Sequence, residues 1–267
     1  MILIADMSRN TRHKIWMIII VTLIAIAIFF IFVPAIHQWA NYHHFADNRI
    51  LGNIPNAWNV LSNLPFCFVS IIGFICLAEK WKEGCFTKEE LITFFVLFSG
   101  IFLTGIGSAY YHLSPNNTTL VWDRLPMTIV FMSLLAFTIM ERINLKAGFY
   151  LLLPLLVLGA FSVLYWQWGE VRGHGDLRLY GFVQFYSMIL IAAILCLFPG
   201  DYPPLKAYIW IAIFYGVAKV CEYFDLSLYH FFGGSISGHT LKHFAAAISA
   251  YGIIEMCKSK KIDKKKL

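Results

Sequence analysis

The sequence predicts an all-α protein that crosses a membrane eight times. Three observations carry this reading. First, of 267 residues, 59% are hydrophobic and only 13% are charged, about half the charged share of a soluble domain. A chain this apolar cannot hide all its nonpolar side chains in one core, and no polar stretch is long enough for a separate soluble domain. Second, eight segments approach the ~20 mostly apolar residues that a spanning helix needs. Third, the Lys and Arg residues divide unevenly between alternate loops.

The segments cover roughly 16–36, 57–78, 91–112, 124–141, 148–166, 179–198, 206–223 and 239–256. The first follows Arg9, Arg12 and Lys14. Its apolar run is too long for the h-region of a signal peptide, and no small-x-small cleavage site follows, so it reads as a retained anchor. The second and eighth carry the most polar residues, which must then face inward. The stretch Trp166 to Arg178 is Gly-rich and polar and reads as an external loop without evident chemistry.

With eight spans, the N-terminus, the loops after spans two, four and six, and the C-terminus share one side. They hold 15 of the 21 Lys and Arg residues, against 4 on the other side; Lys219 and Lys242 lie within spans. The basic side is the cytoplasmic one, so both termini are expected there. The Lys-rich tail from Lys258 to Lys266 fits a solvated cytoplasmic segment touching anionic headgroups better than a nucleic-acid arm. Cys67, Cys76, Cys85, Cys196, Cys221 and Cys257 include no CxxC pair and mostly fall in apolar runs. They read as small core residues, not a zinc or disulfide framework.

Five polar residues stand out. Ser108 and His112 are four apart near the end of the third segment and share a helix face. Asp123 opens the fourth segment after the short turn Ser114-Pro115-Asn116-Asn117. His239 and His243, again four apart, open the eighth. The topology puts all five at similar depth on the non-cytoplasmic side. Two His at i, i+4 can chelate one ion, and a third His from another helix completes a catalytic zinc set that leaves the fourth position to water. Asp123 would then hold or deprotonate that water, and Ser108 would donate to a developing oxyanion. Each residue alone also has an ordinary reading: a hydrogen-bonded interfacial His, a Ser bonded back to its own helix, an Asp123–Arg124 ion pair.

Three further sets are less pointed. Lys219, Glu222 and Asp225 lie at spacings of three, and Lys219–Glu222 reads as a salt bridge on one helix face. Asn56, Asn59 and Asn63 line one face of the second segment and suit either a cation or interhelical hydrogen bonds. His43 and His44 are left out of the ligand set.

Taken together, the pieces Ser108-xxx-His112, Trp122-Asp123-Arg124-Leu125-Pro126-Met127 and Gly238-His239-xx-Lys242-His243 resemble the alkaline ceramidases. These belong to a superfamily of membrane hydrolases that includes progestin/adiponectin receptors and Per1-type proteins. Trp58-Asn59-Val60-Leu61-Ser62-Asn63-Leu64 resembles the first core helix of the same family. The resemblance implies a seven-helix hydrolase core over 42–256, preceded by an extra transmembrane helix within 1–41 and followed by a basic cytoplasmic tail, 257–267. It implies zinc on His112, His239 and His243, with Asp123 and Ser108 catalytic. The reaction it implies is hydrolysis of a ceramide-like lipid amide to a sphingoid base and a fatty acid. The eukaryotic members carry an acidic calcium-binding stretch before the first core helix; here Tyr42 to Asn56 keeps chiefly Asp47. Calcium (Ca2+) binding is therefore in doubt, and so is ceramide as the specific lipid. A receptor of the same fold using the metal structurally is the alternative, and a transporter ranks below it because few polar residues continue toward the cytoplasmic side.

Overall fold

The structure, a computed structural model, describes residues 7–262; the tail lysines Lys264 to Lys266 lie outside the described residues. Among the described residues, eleven α-helices run in chain order: α1 (Arg9–Phe32), α2 (Ala57–Leu61), α3 (Leu64–Lys82), α4 (Lys88–Leu113), α5 (Asn117–Arg142), α6 (Leu145–Glu170), α7 (Arg178–Gly181), α8 (Ser187–Leu197), α9 (Leu205–Tyr223), α10 (Asp225–Phe231) and α11 (Gly238–Ser259). There is no strand among the described residues.

Among the described residues, six helical segments are long and apolar enough to cross a membrane: Arg9–Phe32, Ala57–Lys82, Lys88–Leu113, Asn117–Arg142, Leu145–Glu170 and Arg178–Leu197. A seventh is counted when α9 and α10 are taken as one span bent by 82°. The final helix, α11, is not among them. His239, Lys242, His243 and Glu255 make it too polar for lipid on all sides, yet 13 of its residues, including both histidines, are buried against its neighbours. That is how a polar helix is accommodated in a bundle.

Local chemistry sets the boundaries. Ser8 caps α1 by accepting from Thr11 N, and the helix ends at Val33 in extended backbone, because the residue before a proline, here Pro34, disfavours the helical region. The first span thus starts earlier and stops sooner than 16–36. The second segment is not one helix. It breaks at Ser62-Asn63 and restarts with Pro65 in its first turn, where a proline leaves no helical hydrogen bond unmade. Thr87 and Glu90 form a capping box on α4, and Asn116 caps α5 through Thr118 N and Thr119 N. The chain between 224 and 237 holds a further short helix, α10, where the sequence suggested only a loop.

The α4–α5 hairpin is pinned by a close approach at Gly107. A Cβ there would collide with the carbonyl oxygen of Trp122. Gly107→Ala is therefore expected to cost about 1–3 kcal/mol, the range for overpacking a tight core. Thermal unfolding in detergent would measure it, and an unchanged melting temperature would contradict the packing described.

The main core lies between α3, α4, α5, α8, α9 and α11, with Phe94, Phe98, Phe137 and Ile254 fully buried. A smaller cluster of Tyr111, Leu120, Val163, Trp166 and Tyr180 sits near the opposite end. Outward-facing Phe68, Ile71 and Ile75 are exposed, as side chains facing lipid are. Cys76, Cys85 and Cys257 are buried and all six cysteines are free; Cys76 and Cys257 bring their sulfurs to 3.3 Å. Cys196 is exposed, so it is not a core residue. Lys260 departs from the solvated-tail reading, since it pairs with Glu90 and Glu141 and ties the end of α11 to α4 and α5.

Candidate metal centre

The ends of α4 and the beginnings of α5 and α11 meet at one end of the bundle. His112, His239 and His243 there place one ring nitrogen each within 4.8 Å of one another, and all three are buried. Their ring centroids are 4.8–4.9 Å apart. His112 and His239, 127 residues apart in sequence, bring their Nε2 atoms to 3.2 Å.

The hydrogen bonds around the rings show which nitrogens are open. The Ser62 hydroxyl donates to the Asn59 carbonyl at 3.3 Å, which leaves it to accept from His243 Nδ1 at 2.7 Å. A neutral imidazole protonated at Nδ1 presents a bare lone pair at Nε2. His243 Nε2 is buried with no partner. His239 Nε2 has the Lys242 ammonium at 3.4 Å; an ammonium is donor only, so this nitrogen also presents a lone pair. A buried lone pair without a partner, as on His243 Nε2, is costly, and a cation shared between the three rings would satisfy it. The donor set fits a metal that accepts imidazole nitrogen.

The model of the family described as Ceramidase matches residues 47–265. The chain belongs to the ceramidase family. No curated protein and no solved structure matches it. Membership points to a membrane hydrolase acting on lipid amides.

Around the histidines of this ceramidase-family chain, the short helix α2 acts as a bracket. Asn56 donates to the His112 carbonyl at 2.9 Å. Asn59 accepts from Thr240 Oγ1 at 3.1 Å and donates to the Asp47 carbonyl at 3.0 Å. Asn56 and Asn59 are thus used for hydrogen bonds between elements, whereas Asn63 donates to the Asn59 carbonyl one turn back and its buried Oδ1 has no partner. Asp225 accepts from the backbone N–H groups of His239 (2.7 Å) and Ala46 (2.9 Å). Phe45 covers the site, with its ring 4.6 Å from those of both His112 and His239. Asp47 is bonded to Arg49 at 2.6 Å. His43 bonds Tyr111 and Asn117, which accounts for it without a ligand role.

Ser108 and Asp123 line one apolar cavity of about 330 Å³ together with His243 and Lys242. The cavity continues between α5, α8, α9 and α11 past Leu134, Ile191 and Ile253. Ser108 makes no hydrogen bond back to its helix, unlike Thr104, which bonds Gly100 O at 2.8 Å. Asp123 is not paired with Arg124. That guanidinium donates to Gln38 Oε1 at 2.6 Å and lies over the Trp166 ring at 4.3 Å. The Asp123 carboxylate, buried at 7% exposure, is left facing the cavity.

Two residues that the quoted motifs contain take on roles that the sequence did not give them. Lys242 joins Lys219 on the two oxygens of Glu222, each at 2.7 Å, so the pair expected on one helix face is a triad across two helices. The signal was available: Lys242 is the one cation between two histidines of a buried face. The pairing of Ser62 with His243 could not be read from spacing, because it spans 181 residues. Ser62→Ala is expected to weaken metal binding by this cluster about 10–100-fold, as loss of an orienting partner does. Competition with a chelator measures this, and unchanged affinity would remove Ser62 from the site.

Proposed function

We propose that the chain is a zinc-dependent integral membrane amidase that cleaves a ceramide-like lipid to a sphingoid base and a fatty acid. The single observation that carries this reading is the unpartnered, buried Nε2 of His243 beside two further histidines, at the end of an apolar cavity that Ser108 and Asp123 also line. His112, His239 and His243 would hold the ion. Zinc in such a site supplies Lewis acidity, polarising a carbonyl and making water acidic near neutral pH.

The chain's own groups do the rest. The apolar cavity takes the acyl chain and sets the amide carbon beside Asp123 and Ser108. Asp123 accepts the proton of the attacking water and returns it to the departing nitrogen, so that the hydroxyl ends on the acyl carbon and the hydrogen on the amine. Ser108 donates a hydrogen bond to the carbonyl oxygen as it gains charge. Ser62 keeps the His243 tautomer fixed.

In this reading α11 is an additional span, which makes eight in all. The seven-helix core runs over 42–256, and the basic excess puts both termini in the cytoplasm and the site on the opposite face. Purified protein is expected to hold stoichiometric zinc and to release fatty acid from an N-acyl amino alcohol lipid. Absence of stoichiometric zinc would sink the mechanism, and zinc without fatty-acid release would favour a receptor that uses the metal structurally.

A further inference from the structure

Two cavities meet at Asp123, and they differ in charge. The second, of about 260 Å³, adjoins the apolar one and shares Asp123, Met127 and Lys242 with it. Its charged lining is Arg124, Lys219 and Lys242 against Asp123 and Glu222, three cations to two anions. Glu222 is fully used: one carboxylate oxygen accepts from Lys219 and the other from Lys242, each at 2.7 Å.

Arg124 is the cation left over. It takes part in no ion pair among the described residues, although it is only 5% exposed. Its Nη2 donates to Gln38 Oε1 at 2.6 Å, and its Nη1 is buried without an acceptor. The rings of Trp166, Tyr180 and Tyr42, at 4.3, 5.0 and 5.5 Å, hold the guanidinium in place without neutralising it. Gln38 and Tyr42 precede residue 47, where the family match begins, so the segment ahead of the matched core helps to position this charge.

A buried cation without a counter-ion is costly. A guanidinium offers planar donors that match a carboxylate or a phosphate, and each lysine ammonium beside it has donors to spare. An anionic group in this cavity would meet the free Nη1 and offset the excess positive charge, whereas a neutral group leaves Arg124 unpaired. An amide lying beside Asp123 with its acyl chain in the apolar cavity turns its amine-side substituent toward the second one. We propose that the second cavity is an anion site, and that the lipid amide this chain prefers carries a carboxylate or phosphate on its amine side. This rests on the lipid-amidase reading above and departs from an uncharged ceramide.

The test uses full-length protein in detergent and three uncleavable alkylsulfonamides of equal chain length, on glycine, on phosphoethanolamine and on ethanolamine. Binding is read by isothermal titration calorimetry. The wild type is expected to bind the two charged lipids at least about tenfold tighter than the neutral one, the effect of one hydrogen bond to a charged group. Arg124→Gln is expected to erase the preference. The Lys219 side chain is 37% exposed, so Lys219→Gln tests the charge without disturbing the buried guanidinium. It is expected to narrow the preference about threefold or more, as loss of a nearby charge does. Inorganic phosphate is expected to leave the charged lipids bound, because it has no acyl anchor. Equal affinities in the wild type, or a preference unchanged in both variants, would overturn the proposal. Displacement by inorganic phosphate would overturn it too, by assigning the site to a free anion. The expected pattern in a protein that cleaves none of the corresponding carboxamides would uphold the anion site and count against the amidase reading alone. Cleavage of charged and neutral carboxamides with equal kcat/KM would uphold the amidase and overturn the preference.

Discussion

His239→Ala is expected to release the metal and to lower fatty-acid release by more than about 100-fold, beyond the upper end for losing a group that merely orients a ligand. Alanine removes one of three ring nitrogens, and the remaining His112 and His243 come from different helices with no second chelating pair. The backbone has no reason to move. Alanine is the better helix former, and the His239 N–H that Asp225 accepts is a main-chain group that survives the change. Metal content by atomic absorption, beside a melting curve in detergent, separates lost ligation from lost fold. His43→Ala supplies the contrast. It removes bonds to Tyr111 and Asn117, so it is expected to lower stability while leaving zinc bound. A His239→Ala protein that keeps stoichiometric zinc and full activity would refute the assignment of this ligand.

What the sequence made legible follows from helix periodicity. The i, i+4 pairs Ser108/His112 and His239/His243 had to share faces, and loop charge placed α4, α5 and α11 ends at one depth. The structure brings the three histidines and the two catalytic candidates to that same end. Periodicity does not fix how one helix is rotated against another. Ser62 on His243, Lys242 on Glu222 and Gln38 on Arg124 are contacts across 181, 20 and 86 residues, and spacing cannot show them. Breaks are also hard to read in apolar runs. Pro65 restarts the second span and α9 turns by 82° into α10, although hydropathy runs through both places. The loop with no evident chemistry, Trp166 to Arg178, proves to anchor the N-terminal helix through Asp176 and Arg178. Its partners are main-chain groups, which carry no signature in a side-chain pattern.

Asp123→Asn isolates the proton-transfer step from everything else at the site. The amide has nearly the shape of the carboxylate, so the two cavities that Asp123 lines keep their form. Most buried carboxylates are bonded to a partner, and neutralising them strands that partner. Asp123 is different, because its neighbour Arg124 donates to Gln38 and lies over the Trp166 ring instead of pairing with it. The variant is therefore expected to melt within about 1 kcal/mol of the wild type, as substitutions away from a buried network do. Zinc content should be unchanged, since the three histidine nitrogens are untouched. The rate should nevertheless fall about 10²–10⁴-fold, the contribution of a positioned general base. Ser108→Ala should fall about 10²–10³-fold through loss of an oxyanion donor. An Asp123→Asn enzyme with full activity would move the base elsewhere, and one that sheds zinc would make Asp123 a group that holds the ion instead of one that moves a proton.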